Sequence, residues 1–304
     1  MTPNPVLRRL GLSDSDRAVI IHADDLGMCH STLSGLERLF AAGIVSSGSI
    51  MVCCPWFRAA AAFASAHPEA DLGAHLTLNC EWRTYRWGPL STVDPASGLL
   101  DAEGYLPATA REVQERGDPS AVARELQAQI ERALGAGIRL THADTHMGTV
   151  AHARFMESYV SAALSRGLPP MLLRLDEEGW RAVTREHAGA GLDEQAIRRA
   201  VRMMSELEER GVPLLDAIMG MSLSSDPRGR LDEAKERLRR LAPGVTHFII
   251  HPAADSPELR GITHDWGCRA ADLETFAREE LGAFLRGLGI HVIGYRRLQQ
   301  LMRV

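Results

Sequence analysis

The sequence predicts an α/β protein whose parallel strands close into a TIM-barrel-like (β/α) barrel. Three observations predict it. Along the 304 residues, about eight short apolar runs alternate with about eight stretches of helical periodicity. Neither an internal repeat nor a composition shift divides the chain, so residues 1–304 read as one domain with a long loop insertion at 79–119. The acids and histidines suited to chemistry fall at the ends of several apolar runs, where such barrels carry their active sites.

Composition narrows the partners. A formal net charge of -5 and the absence of any Lys/Arg block argue against nucleic acid or an anionic membrane as the main partner. The first 17 residues hold Arg8 and Arg9 but no apolar segment long enough for a signal peptide, and no later run reaches transmembrane length, so the expected location is cytoplasmic. Five cysteines, an odd number without a C-x-x-C pair, suggest neither a disulfide framework nor a thiolate zinc site. They read as reduced and packed.

The elements follow in order. Ala18 to Gly27 (AVIIHADDLG) is an apolar strand that ends in two adjacent carboxylates. Ser31 or Thr32 caps a helix with apolar Leu33, Leu36, Leu39 and Phe40, closed by Gly43. Val45 to Val52 is the second strand, Trp56 to Ala66 an alanine-rich helix, and Asp71 to Leu78 (DLGAHLTL) the third strand. Turn residues and the aromatics Trp82, Tyr85, Trp87 and Tyr105 then fill the insertion, which reads as a binding lid. A helix near Ser120 to Leu134 precedes the fourth strand, Ile138 to Ala143, which ends in THADTHMG. After a helix around Arg154 to Ser165 come a fifth strand, Met171 to Leu175, a polar region with Gly189-Ala190-Gly191, and a helix near Asp193 to Glu209. Val212 to Met219 is the sixth strand and Leu231 to Leu241 a charged helix. Thr246 to His251 (THFIIH) is the seventh strand, Ala270 to Leu288 a helix, and Ile290 to Gly294 the last strand.

Gathering Asp24 and Asp25 at one strand end is costly unless a cation repays it. A divalent ion suits the pair, with one acid binding it and the other free to take a proton, as a metal hydrolase requires. His75 lies among apolar neighbours late in the third strand, where it is a core histidine or a ligand. His142, Asp144 and His146 face one way if their segment stays extended, a spacing that supplies two ligands or one ligand and its orienter. His251, before Pro252, suits a general acid above the pocket or a histidine stacked on the next helix. His22 either lines the floor of the site or buttresses it, and Trp82, Arg83 and Arg86 either line an acyl or sugar pocket or anchor the loop. The remaining histidines, His247 among them, read as surface or packing residues.

In the order HADDLG, GAHLTL, THADTHMG and IIHP, with a GYRRL ending and SGLLDAEGYLP in the insertion, the chain resembles the YdjC-like (ChbG/HpnK) carbohydrate deacetylases over nearly its whole length. The resemblance implies removal of acetyl groups from N-acetylated saccharides with one divalent ion, magnesium or zinc foremost and nickel or manganese as alternatives. It implies Asp25, His75 and His146 as ligands, Asp24 as the proton acceptor, His251 as the acid, and a possible homodimer. His22, His142, Trp82, Arg83 and Arg86 are the expected substrate contacts. Met147-Gly148-Thr149 stands where the family has further histidines, and Ala253 where it has glycine after His-Pro, so a particular sugar is not carried over. The alternatives are a hydrolase of another amide or ester, or a carbohydrate-binding barrel without turnover.

Overall fold

A computed structural model describes residues 3–186 and 192–302. The predicted Gly189-Ala190-Gly191 turn lies outside the described residues. Among these, seven parallel strands form one curled sheet: β1 (Arg17–Leu26), β2 (Ser47–Ile50), β3 (Leu72–Leu76), β4 (Ala143–Thr145), β5 (Ala217–Gly220), β6 (Gly244–Ile250) and β7 (Ile290–Val292). The order is β4-β3-β2-β1-β6-β5, with β7 paired to β1. β1 is the axis of the sheet. One edge pairs with β6 from Arg17 to Ala23, while the other takes β7 at Arg17–Val19 and β2 from His22 onward. Every β1 residue after Arg17 is buried, as a central parallel strand requires.

Of the eight expected strands, the fifth is missing from this sheet. The segment predicted as a strand at Met171–Leu175 makes only single bridges, Pro170 with Ala143 and Leu173 with Leu215. Pro169 and Pro170 bring no N–H to a ladder there, so the space between β4 and β5 is spanned by isolated bridges, and the sheet is a curled arrangement in place of the full barrel. β4 also starts later than its apolar run. Its ladder with β3 begins at Ala74↔Ala143, whereas Thr141, ahead of it, gives both its N–H (3.0 Å) and its hydroxyl (3.2 Å) to Leu72 O.

Helix boundaries follow local chemistry. Asp118 caps Pro119–Gly135 and Asp193 caps Glu194–Glu209 by accepting backbone N–H groups, each near its predicted start. The predicted helix after β1 is interrupted by Gly35, at φ 88°, into a 3-10 turn (His30–Thr32) and a short helix (Leu36–Ala41). The long helix expected at Ala270–Leu288 is two, Trp266–Phe276 and Glu279–Gly287, separated where Arg278 turns extended.

The 79–119 insertion is tied down at several points. Cys80 N–H donates to Pro107 O at 2.8 Å and Leu106 N–H to Trp87 O at 3.0 Å. The buried Glu125 carboxylate accepts the Leu90 and Ser91 N–H groups, and the Tyr85 hydroxyl donates to Met28 O at 2.7 Å, next to the end of β1. Cys29, Cys54, Cys80 and Cys268 are buried and Cys53 half-buried, all as free thiols. No helix among the described residues is long and apolar enough to cross a membrane.

Candidate metal and acid-base site

Two consecutive side chains of a regular strand point to opposite faces, yet Asp24 and Asp25 both reach one cluster. The β1–β2 register shifts between Ala23 and Leu26, and Asp25 takes φ 64°. Such an irregularity re-aims a side chain at a strand end. Gly48 faces it from β2, where a Cβ would meet Leu26 Cδ1 at 2.8 Å and Ala23 O at 3.0 Å. Only a residue without a side chain leaves β1 room to bend here.

Asp25, His75 and His146 come from three strand ends, and their potential ligand atoms lie within 4.8 Å of one another. Asp25 Oδ1 is 3.4 Å from His75 Nε2 and 3.2 Å from His146 Nδ1. Asp25 Oδ1 and His75 Nε2 are buried without a hydrogen-bond partner. Buried polar atoms rarely stay unpaired, and two such atoms converging with a second imidazole form a donor set that fits a divalent cation such as zinc. Burial alone would raise the Asp25 pKa, but Arg269, His146 and His75 outweigh it and hold the carboxyl well below its usual range. For His146, burial lowers the pKa while Glu81 and Asp25 more than reverse it, to about 10.

Asp24 stands beside this group, its Oδ2 3.9 Å from both His75 Nε2 and His251 Nε2. Burial pushes its pKa up to about 6, against the pull of His75 and His22. It is the carboxyl of the pair suited to gain and lose a proton near neutrality. His251 is half-buried, its backbone N–H donates to Asp272 Oδ2 at 3.0 Å, and burial lowers its imidazole to about 3. It rests neutral.

A layer of buried polar groups supports these residues from below. Asp144 accepts from His75 Nδ1 (3.0 Å), His22 Nε2 (2.9 Å) and Ser49 Oγ (2.8 Å). His142 stacks on Tyr295, ring centroids 3.9 Å apart, and a Cβ at Gly73 would lie 2.4 Å from its ring. The Tyr295 hydroxyl and His247 Nδ1 are 2.9 Å apart. His142, Asp144 and His146 do share a face, but positions two apart on a strand differ by about 6.6 Å in height. His142 therefore lies deep, Asp144 in the middle and His146 at the cation cluster.

The residues expected to contact substrate differ in setting. His22 and His142 are fully buried, the first against Asp144 and the second against Tyr295. Arg86 donates to Asp101 and to Leu106 O, anchoring the insertion. Arg83 is exposed on that loop. Trp82 does reach the site's surroundings, with the Arg269 guanidinium 5.7 Å from its ring centroid.

Other participants are not evident from sequence. Arg269 donates to Asp25, and the Glu81 carboxylate sits 3.0 Å from His146 Nε2. His247, expected at the surface or in packing, is fully buried in a second group with His22, Asp24 and Asp144. A signal for it exists, since 247 and 251 share a face of one strand. Nothing local to Arg269 or Glu81 separates them from other surface-type charges. Of the two family departures, Met147 is 58% exposed and Ala253 1%, so only the first offers its side chain to solvent.

A parallel α/β sheet with two acids and two histidines gathered at its strand ends is an arrangement that could hold a metal ion. The model of the YdjC-like protein family matches residues 18–287, and the chain belongs to that family. It is 30% identical over 276 residues to a carbohydrate deacetylase of Thermus thermophilus, covering 91% of this chain and 92% of that protein. A carbohydrate deacetylase of Thermoanaerobacter pseudethanolicus is 27% identical over 281 residues, covering 92% and 99%. A crystal structure from Enterococcus faecalis, of a protein named as a candidate for cellobiose-phosphate cleavage, shares the fold with a TM-score of 0.73 at 19% identity, over 93% of this chain and 99% of the other.

Proposed function

We propose that this chain is a metal-dependent deacetylase that removes acetyl groups from N-acetylated sugars or oligosaccharides. The observation that carries the reading is the convergence of Asp25, His75 and His146 within 4.8 Å beside a second, more basic carboxyl. The names of the two deacetylase relatives support the substrate class.

Asp25, His75 and His146 would hold the ion. When bound, it supplies positive charge that polarises an acyl carbonyl and acidifies water. Asp24 accepts the proton of the attacking water, because burial has brought its pKa to about 6. His251 faces Asp24 Oδ2 at 3.9 Å and is neutral at rest, so the proton it gives the leaving nitrogen is the one Asp24 has taken from the attacking water and passed to it. Asp144 keeps His75 turned toward Asp25, and Arg269 holds the other Asp25 oxygen.

Acetate release is the test. The purified chain, stripped with chelator and reloaded with zinc, magnesium, nickel or manganese in turn, is offered N-acetylated and O-acetylated saccharides. Ion-dependent acetate release from an N-acetylated member is the expected result. Release from O-acetyl sugars alone would shift the reading to an esterase, and ion binding without turnover on any substrate would favour a carbohydrate-binding role.

A further inference from the structure

We propose that Glu81 is a positioning residue for the cation site, holding His146 in the tautomer that presents Nδ1 to the ion. The inference rests on reading Asp25, His75 and His146 as ligands. His146 Nδ1 lies 3.2 Å from Asp25 Oδ1, while Nε2 on the other side of the ring lies 3.0 Å from Glu81 Oε2 and 3.2 Å from Oε1. An ionised carboxylate only accepts hydrogen bonds. With an ion on the Nδ1 lone pair, the one proton left on the ring therefore belongs on Nε2, facing Glu81.

His75 is oriented the other way. Its Nδ1 donates to Asp144 Oδ1 at 3.0 Å, and its Nε2 lies 3.4 Å from Asp25 Oδ1. The two histidines thus use opposite ring nitrogens, and each is locked by its own carboxylate. Their supports differ in kind. Asp144 belongs to β4 and its side chain is 1% exposed, whereas Glu81 lies in the insertion and its side chain is 24% exposed. Its neighbour Trp82 packs on Arg269, which holds the second oxygen of Asp25. The insertion consequently reaches the cation through two ligands, and its seating governs how well the ion is held.

Zinc is the probe, with affinity measured on the full chain by competition with a chromophoric chelator for wild type, Glu81→Ala, Glu81→Asp and Glu81→Gln. Loss of a carboxylate behind a ligating histidine costs about 10–100-fold in affinity. Glu81→Ala is expected to lose that much, and Glu81→Asp or Glu81→Gln to recover part of it. Nitrogen-15 histidine spectra of zinc-loaded wild type are expected to show His146 bound through Nδ1 and protonated at Nε2. Wild-type affinity in Glu81→Ala, or His146 bound through Nε2, overturns the proposal while the deacetylase reading stands. A wild-type chain that takes up no divalent ion overturns the functional reading, and this proposal with it.

Discussion

Arg269 Nη1 donates to Asp25 Oδ2 across 2.7 Å, and both side chains are almost fully buried. The contact ties the helix Trp266–Phe276 to the end of β1 and decides which Asp25 oxygen is left for the histidines. Arg269 also donates to Asp265 at 2.7 Å. Removing one partner of a buried pair leaves an uncompensated charge and costs about 3–5 kcal/mol. Arg269→Leu is expected to lower the urea midpoint by a corresponding amount. A midpoint equal to wild type would show that the pair does not stabilise the fold.

The left-handed backbone at Asp25 makes a separable prediction. Any residue with a Cβ is strained at φ 64°, and glycine is not. Asp25→Ala and Asp25→Gly both remove the carboxylate and leave Arg269 without it, so their difference isolates the backbone. In the ion-free protein, Asp25→Gly should be the more stable by about 1 kcal/mol, read by denaturant unfolding. If Asp25→Ala were the more stable, the strain would be absent.

Asp24 sets activity against stability. Its pKa is raised by burial to about 6, so the folded state holds the proton more tightly than the unfolded chain. The stabilising contribution is full below the ordinary carboxylate pKa and is lost as pH rises through about 6. Asp24→Asn, which carries no charge, is therefore expected to raise the stability of the ion-free protein at pH 7.5 by roughly 3 kcal/mol, with the gain shrinking toward pH 4. The same substitution should abolish acetate release while zinc still binds. Melting curves at several pH values and a turnover assay check both, and an active, metal-loaded variant would refute Asp24 as the base.

Cation uptake should release protons. In the ion-free site nearby carboxylates raise His146 to about 10 and His75 well above its usual value, burial opposing both. Both therefore hold extra protons at pH 7, which ligation must expel. Zinc affinity is expected to rise as pH increases from 6 to 8, and calorimetry in buffers of different ionisation enthalpy should record net proton release. An affinity independent of pH would mean that the histidines are not the ligands.

Much of the architecture is legible along the chain, because parallel strands buried on both faces read as apolar runs. Ala18–Gly27 and Thr246–His251 correspond closely to β1 and β6. Met171–Leu175 has the same composition but not the ladder, since Pro169 and Pro170 precede it and pairing depends on neighbours. His142 and His146 are equally plausible ligands in sequence, because periodicity assigns a face and says nothing of depth.

The sequence by itself determined the alternation of strands and helices, the family, and the short set of acids and histidines from which a site could be drawn. Tertiary structure alone decided that Asp24 and Asp25 share one side of β1, that His22 and His142 lie beneath the cluster, and that Arg269 and Glu81 join it. The physical reason is range. Local patterning records which face a residue occupies, whereas a charge is placed by partners brought together from strands and loops far apart in the chain.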